Sequence, residues 1–178
     1  MKSNIVVYLS SPDCYHCGVL SSFWDKNPNG DCVVDTLKKI DPTLTVTNIV
    51  CSDKNGTFDY TKGPKQLTQW YSSQKKHWYP MILLLNHNNW NLAMSNPFYS
   101  YKNLMNGAYI FNGAIINDQL EFVKKYDHST VQGYKLWLAD CINTFNLMNN
   151  KNIIDDKITT NADNGVCDSL INLISKPK

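Results

Sequence analysis

The order of its elements puts this chain in the alternating α/β class. Three observations carry that reading. Ile5–Leu9 and Met81–Leu85 are apolar runs of five residues, too short for helices and suited to buried central strands. Thr43–Cys51 alternates and is rich in β-branched residues, which adds a third strand. The segments between these runs place apolar residues at helical spacing, so the order is β-α-(α)-β-α-β.

Each element has a local reason. After Ile5–Leu9 comes the turn Ser10-Ser11-Pro12-Asp13, and Asp13 is read as the cap of a helix carrying Val19, Leu20, Phe23 and Trp24 on one face. Asn27-Pro28-Asn29-Gly30 ends it. Asp31 is expected to open a second helix through Val33, Val34, Leu37 and Ile40, stopped at Asp41-Pro42. Ser52–Lys62 is polar and turn-rich. Pro64 suits the first position of a helix through Leu67, Trp70 and Tyr71. Residues 86–118 show no clear period and are read as an insertion, with a short helix near Tyr101–Met105 and a strand at Ala108–Phe111. Leu120–Tyr126 reads as an edge strand. Ser129 is expected to cap a long helix striped by Tyr134, Trp137, Leu138, Cys141, Phe145 and Met148. Residues 1–149 then form one domain, and 150–178 a polar C-terminal extension with a short helix at Val166–Ile174.

The chain has 178 residues and a formal net charge of +2, too small to argue for nucleic acid or a membrane surface as partner. All seventeen basic residues are lysines, so no guanidinium fork is present for bidentate recognition of phosphate or carboxylate. Abundant Asn, Lys, Ile and Tyr without Arg reads as the bias of an AT-rich genome, as in many large DNA viruses, parasites and bacteria. No apolar run has the length of a membrane span or of a secretory signal, which implies a soluble intracellular protein. Six cysteines lack the spacing of a small disulfide scaffold.

Cys14-Tyr15-His16-Cys17 follows the first strand directly and opens the first helix. Two thiols separated by two residues can close a small disulfide ring. The thiolate is the reactive form, and a helix N-terminus presents unpaired N–H groups and partial positive charge that favour it at Cys14. His16 can add a hydrogen bond or a positive charge. Cys17, nearly one turn deeper, is placed to attack a mixed disulfide on Cys14 and release the substrate. Zinc sites also use this spacing, but they usually need a second pair, and none of Cys32, Cys51, Cys141, His77, His87 and His128 forms one.

Ile5–Leu9, Cys14-Tyr15-His16-Cys17 and the helix to Trp24 resemble the first half of a thioredoxin-like domain. Tyr79-Pro80 before Met81–Leu85 is similar to the family's cis-proline loop, and Ser129–Met148 to its closing helix. The resemblance covers roughly residues 3–148, with 86–118 unmatched. His directly before the second Cys resembles the protein disulfide isomerase and bacterial disulfide-oxidase branches. The resemblance implies a central mixed sheet flanked by helices, with an insertion and a C-terminal extension. It implies thiol–disulfide exchange on protein substrates, more oxidase- or isomerase-like than strongly reducing, with an unidentified redox partner and no metal or organic cofactor. Cys14, Cys17 and His16 would carry the chemistry. Tyr15, Tyr79 and Pro80 would meet the substrate, Pro80 as the cis-proline. Three positions depart from the family pattern. Asp13 replaces the usual aromatic residue before the first Cys, Tyr8 stands where the buried acid is found, and Gly18 replaces the basic residue after the second Cys. A thioredoxin-fold binding or structural module without redox activity is the alternative, and a metal protein using Cys14 and Cys17 a further one.

Among the other cysteines, Cys141 lies on the apolar stripe of the last helix and reads as a buried, inert thiol. Cys32 and Cys51 could pair in an oxidising compartment, and Cys167 could form an auxiliary or intermolecular disulfide. Trp70, Tyr71, Trp78 and Tyr79 read as helix packing plus a loop anchor. The sharper alternative is an apolar ledge for substrate.

Overall fold

A strand covered on both faces needs apolar residues at successive positions, and Ile5–Leu9 within Asn4–Ser10 (β1) meets that condition. The computed structural model describes residues 4–51, 61–75, 77–116, 119–122 and 125–149. β1 lies inside a mixed six-stranded sheet. On one side it runs parallel to β2 (Thr45–Val50), with Ile5 opposite Thr45 and Ser10 opposite Val50. On the other it runs antiparallel to β3 (Met81–Asn86), with Leu9 opposite Met81 and Asn4 opposite Asn86. Beyond β3 come β4 (Tyr109–Ile110), β5 (Gly113–Ile116) and β6 (Gln119–Phe122), each antiparallel to its neighbour. The sheet order is β2-β1-β3-β4-β5-β6.

Alternation along β1 sorts the core into two layers. Val6 and Tyr8 face one cluster with Leu20 and Trp24 of α1 (Tyr15–Trp24), Val33 and Leu37 of α2 (Val33–Ile40), and Tyr134, Trp137 and Leu138 of α6 (Val131–Asn149). Ile5, Val7 and Leu9 face the other. There they meet Leu67, Trp70 and Tyr71 of α3 (Lys65–Ser73), Trp90 and Ala93 of α4 (His87–Ser95), and Leu104 of α5 (Tyr101–Leu104). The chain is therefore a mixed α/β protein with helices on both faces of a mixed sheet. No described helix is long and apolar enough to cross a membrane.

Three helices start one residue later than the sequence predicts. Cys14, not Asp13, caps α1, and its sulfur accepts the Cys17 N–H. Cys32, not Asp31, caps α2 in the same way through the Asp35 N–H. Asp31 instead pairs with Lys39 at the surface. Thr130, not Ser129, receives the Gly133 N–H at the start of α6, while Ser129 bonds to Asp127. In each case a favoured capping residue precedes a second residue with an acceptor side chain, and the tertiary path of the chain selects the second. Pro64 likewise precedes α3 and is not its first residue.

Residues 86–118 contain α4, α5 and two strands that continue the sheet, so much of this stretch is part of the main architecture. Helix α4 has no apolar period because only Trp90 and Ala93 are buried along it. Asn86, at the end of β3, caps it by accepting from the Asn88 and Asn89 N–H groups. The expected helix near Tyr101 and strand near Ala108 are present as α5 and β4. The edge strand predicted at Leu120–Tyr126 is shorter and begins one residue earlier, as β6. Tyr126 lies beyond it, packed on Phe111 with its hydroxyl donating to Asp140 at 2.6 Å. The helix predicted at Val166–Ile174, the rest of the C-terminal extension and Cys167 lie outside the described residues.

Candidate functional site

Sheet topology brings three loops to one edge. β1 and β2 are parallel, so Ser10 and Val50 end together, and the Cys51 N–H donates to the Ser10 carbonyl at 2.7 Å. β3 is antiparallel to β1, so its first residue, Met81, lies opposite Leu9 at the same end. The segment 11–14, Cys51 and Tyr79-Pro80 therefore emerge along one rim of the sheet. The Tyr79–Pro80 peptide bond is cis, the isomer that the resemblance implies.

Cys14 occupies the helix N-cap in extended conformation, with φ −97° and ψ 110°. The Cys17 N–H donates to its sulfur at 3.1 Å and also to its carbonyl at 3.1 Å. Gly18 N–H donates to the same carbonyl at 3.2 Å. The sulfur thus sits against the open end of the helix, where backbone donors are unpaired. Cys14 is half-buried and lines an open groove of about 560 Å³ together with Pro12, Asp13, Tyr15, Gly18 and Val19.

Cys17 differs sharply. It is only 3% exposed, and burial first, then its contact with Cys14, pushes its thiol up to about 12 from 9.0. The geometry therefore yields one accessible sulfur and one covered thiol whose burial favours its protonated form. Below them lies Tyr8, fully covered on β1. Its hydroxyl donates to the Cys17 carbonyl at 3.2 Å, and its ring lies 4.7 Å from that of Trp24. Burial raises this phenol to about 12 as well.

The other residues singled out by sequence fall into place around the dithiol or away from it. Tyr15 is 80% exposed beside the groove. His16 is exposed, with its ring against Tyr15 at 5.5 Å and against His128 at 6.1 Å, both edge to face. Tyr79 is half-buried. Its ring stacks on Tyr71 at 5.5 Å, and burial raises its hydroxyl well above the ordinary phenol range. Pro80 is half-buried beside it. Trp70 and Tyr71 belong to the core, so these two rings support packing and cannot form an open ledge. His77 stacks on Tyr71 at 4.6 Å, and its Nε2 lies 2.7 Å from the Tyr71 carbonyl.

Cys32 and Cys51 are both buried and form no disulfide with each other. Cys32 starts the helix that packs on one face of the sheet, whereas Cys51 belongs to the cluster on the other, which separates them. Cys141 is buried in the first cluster, as expected. Among the described residues, no group of three or more His, Cys, Asp or Glu side chains could hold a metal ion.

Sequence reading takes His128 as a surface or loop residue, and it is exposed in the loop before α6; its contact with His16 is not foreseen. Its neighbours explain how it reaches His16. Asn112, at φ 63° in the turn after β4, accepts from the Tyr126 N–H and donates to its carbonyl. A Cβ on Gly133 would overlap the Asp127 carbonyl, so only glycine lets the start of α6 lie this close to the loop. No local signal in the sequence marks that approach.

In comparisons with known proteins, the chain matches no family model, no curated protein and no solved structure.

Proposed function

We propose that this chain is a thioredoxin-like protein thiol–disulfide oxidoreductase, with Cys14 as the exchanging thiol and Cys17 as the resolving one. The observation that carries the reading is the asymmetry of the pair. The Cys14 sulfur is reachable at a helix N-terminus with the Cys17 N–H on it, and the Cys17 thiol lies covered one turn in. The parallel β1–β2 pair, antiparallel β3 and β4, and Pro80 at the shared rim support the fold assignment.

Starting from the dithiol, the Cys14 thiolate attacks one sulfur of a substrate disulfide. A Cys14–substrate S–S bond forms, and the other substrate sulfur leaves as a thiolate and takes up a proton. Cys17 then loses its proton and attacks the Cys14–substrate bond at the Cys14 sulfur. The second substrate thiol is released and the Cys14–Cys17 disulfide remains. Two electrons have passed to the substrate. Run in reverse, the same steps oxidise a substrate dithiol. His16, directly before Cys17, is read as favouring the oxidising or isomerising direction, since a residue that stabilises the dithiol makes the disulfide a stronger oxidant. Pro80 and the Tyr79 backbone would align an extended substrate segment. Protein thiols and disulfides are the substrates, and no metal or organic cofactor takes part in these steps.

The test is trapping. Cys17→Ser should accumulate mixed disulfides with reduced, unfolded protein or with insulin, Cys14→Ser should accumulate none, and the native chain should reactivate scrambled ribonuclease. A second reading, a redox-silent binding module of the same fold, is favoured by Tyr8, whose protonated phenol cannot accept the Cys17 proton at neutral pH. No trapped adduct and no turnover of either substrate would establish that second reading.

A further inference from the structure

The charge of this chain is unevenly distributed. Residues 60–117 contain five lysines and no Asp or Glu, a net +5, while the remainder carries twelve lysines and fifteen acids, a net −3. This one-signed stretch builds the helical layer α3, α4 and α5 on one face of the sheet. Lys62, Lys65, Lys75 and Lys102 are all exposed there.

The same layer carries apolar side chains that the core does not use. Phe98 is 94% exposed at the tip of the turn after α4, where its N–H is held by the Asn96 side chain. Leu92 and Met94 on α4 are 49% and 45% exposed. Beside them an open cleft of about 420 Å³ separates the start of α3 from the end of α4, lined by Gly63, Pro64, Lys65, Gln66, Met94 and Pro97. Gly63 is packed so tightly that a Cβ would overlap Ile49, and this closeness shapes the floor. Gln66 is fully covered beneath the cleft. Its Nε2 donates to the Asn96 carbonyl at 3.0 Å, and its Oε1 has no hydrogen-bond partner among the described residues.

We propose that the α3–α4 cleft is a docking site for an acidic polypeptide segment that presents a leucine or aromatic side chain. The apolar anchor fills the cleft beside Met94 and Pro97. The carboxylates of the segment meet Lys62 and Lys65 at the rim, where no carboxylate from residues 60–117 competes. Charge complementarity of this kind steers encounter and excludes basic partners. A polypeptide fits better than a nucleic acid. The cleft is apolar, and the chain has no arginine fork for phosphates. The proposal is independent of the dithiol chemistry.

The experiment uses the full chain and fluorescein-labelled peptides of alternating Glu and Leu or Phe, read by fluorescence anisotropy. The controls are a Gln-for-Glu version, a Ser-for-Leu/Phe version and a single-stranded DNA oligonucleotide. The acidic apolar peptide should bind tightest. The double variant Lys62→Glu, Lys65→Glu should weaken it roughly tenfold, the size of two exposed charge pairs. Met94→Glu should weaken it comparably, and Lys38→Glu on α2 should leave it unchanged. Raising ionic strength from about 0.01 to about 0.15 M should also weaken binding. All these positions are exposed, and unchanged melting curves would show that the variants fold. Equal binding of the Gln version, indifference to the Lys62/Lys65 double variant, tighter binding of the oligonucleotide, or no binding at all would each overturn the proposal.

Discussion

The imidazole rings of His16 and His128 meet edge to face with centroids 6.1 Å apart, although they lie 112 positions apart in the chain. One is inside the dithiol motif and the other in the loop before α6. The contact lies on the exposed side of the motif, two positions from Cys14 in the chain. Replacing His128 with Ala should therefore shift the Cys14–Cys17 potential in the same direction as His16→Ala, toward a weaker oxidant, but by less. On the scale of about 30 mV for about 1.4 kcal/mol, His16→Ala should move it by some tens of mV and His128→Ala by on the order of 10 mV. His128→Phe, which keeps a ring at the contact, should lie between His128→Ala and the native chain. Equilibration in glutathione buffers reads all three, and a His128→Ala potential identical to the native one would remove the coupling.

Alkaline pH should destabilise the fold through Cys17 before it does so through Tyr8. Both groups are raised in the folded chain, from 9.0 and 10.0 to about 12, chiefly by burial. A raised group contributes stability that is whole below its unfolded value and is lost as pH rises toward its folded value. The melting temperature should thus hold through neutrality and fall above about pH 9. In Cys17→Ala the fall between about pH 9 and pH 10 should be shallower, with the buried Cys32 thiol, also raised, contributing what remains. Parallel melting profiles of the two proteins between pH 8 and pH 10 would refute this assignment.

The same raised thiol governs the resolving step. Below its pKa the Cys17 thiolate fraction grows about tenfold per pH unit, and resolution of a mixed disulfide should accelerate accordingly. Stopped-flow release of substrate from a preformed Cys14 adduct, followed between pH 6 and pH 8, should give a slope near one. A flat profile would mean that another group takes the proton.

Tyr8→Phe should cost about 1 kcal/mol, the usual net value of one hydrogen bond, because the Cys17 carbonyl loses its buried donor. The ring remains to pack on Trp24, so the fold should persist with a melting temperature a few degrees lower. A native-like melting temperature would show that the bond adds nothing.

Gly133→Ala introduces a methyl group where the Asp127 backbone already lies. Backbone cannot rotate away as a side chain can, so roughly 1–3 kcal/mol of destabilisation is expected. The loop that carries His128 must shift as well. The dithiol potential should therefore move in the direction of the His128→Ala shift, which an effect confined to helix α6 would not produce.

Much of the fold was legible because its signals are local. The strands β1 and β3 announce themselves as continuous apolar runs, since they are covered on both faces. Residues 86–118 were harder to read for the opposite reason. Helix α4 buries only Trp90 and Ala93, and β4 has two residues, so neither prints a period on the sequence. The helix starts were misread at Asp13, Asp31 and Ser129 because two adjacent residues in each case offer an acceptor. Capping preference ranks oxygen above sulfur, yet Cys14 and Cys32 hold the caps of α1 and α2. The site was legible as Cys14-Tyr15-His16-Cys17 and Tyr79-Pro80, whose meaning depends on short spacing and the neighbouring strands.

By itself, then, the sequence determined the alternating α/β order, the two central strands and the dithiol at the start of a helix. All of these follow from patterns a few residues long. Only the tertiary structure decided which thiol is covered, that His128 reaches His16, and that the lysine-only layer surrounds an apolar cleft. These depend on close approaches between distant segments, such as Gly133 on Asp127 and Gly63 on Ile49. Such approaches are set by the packing of whole elements, and no stretch of neighbouring residues encodes them.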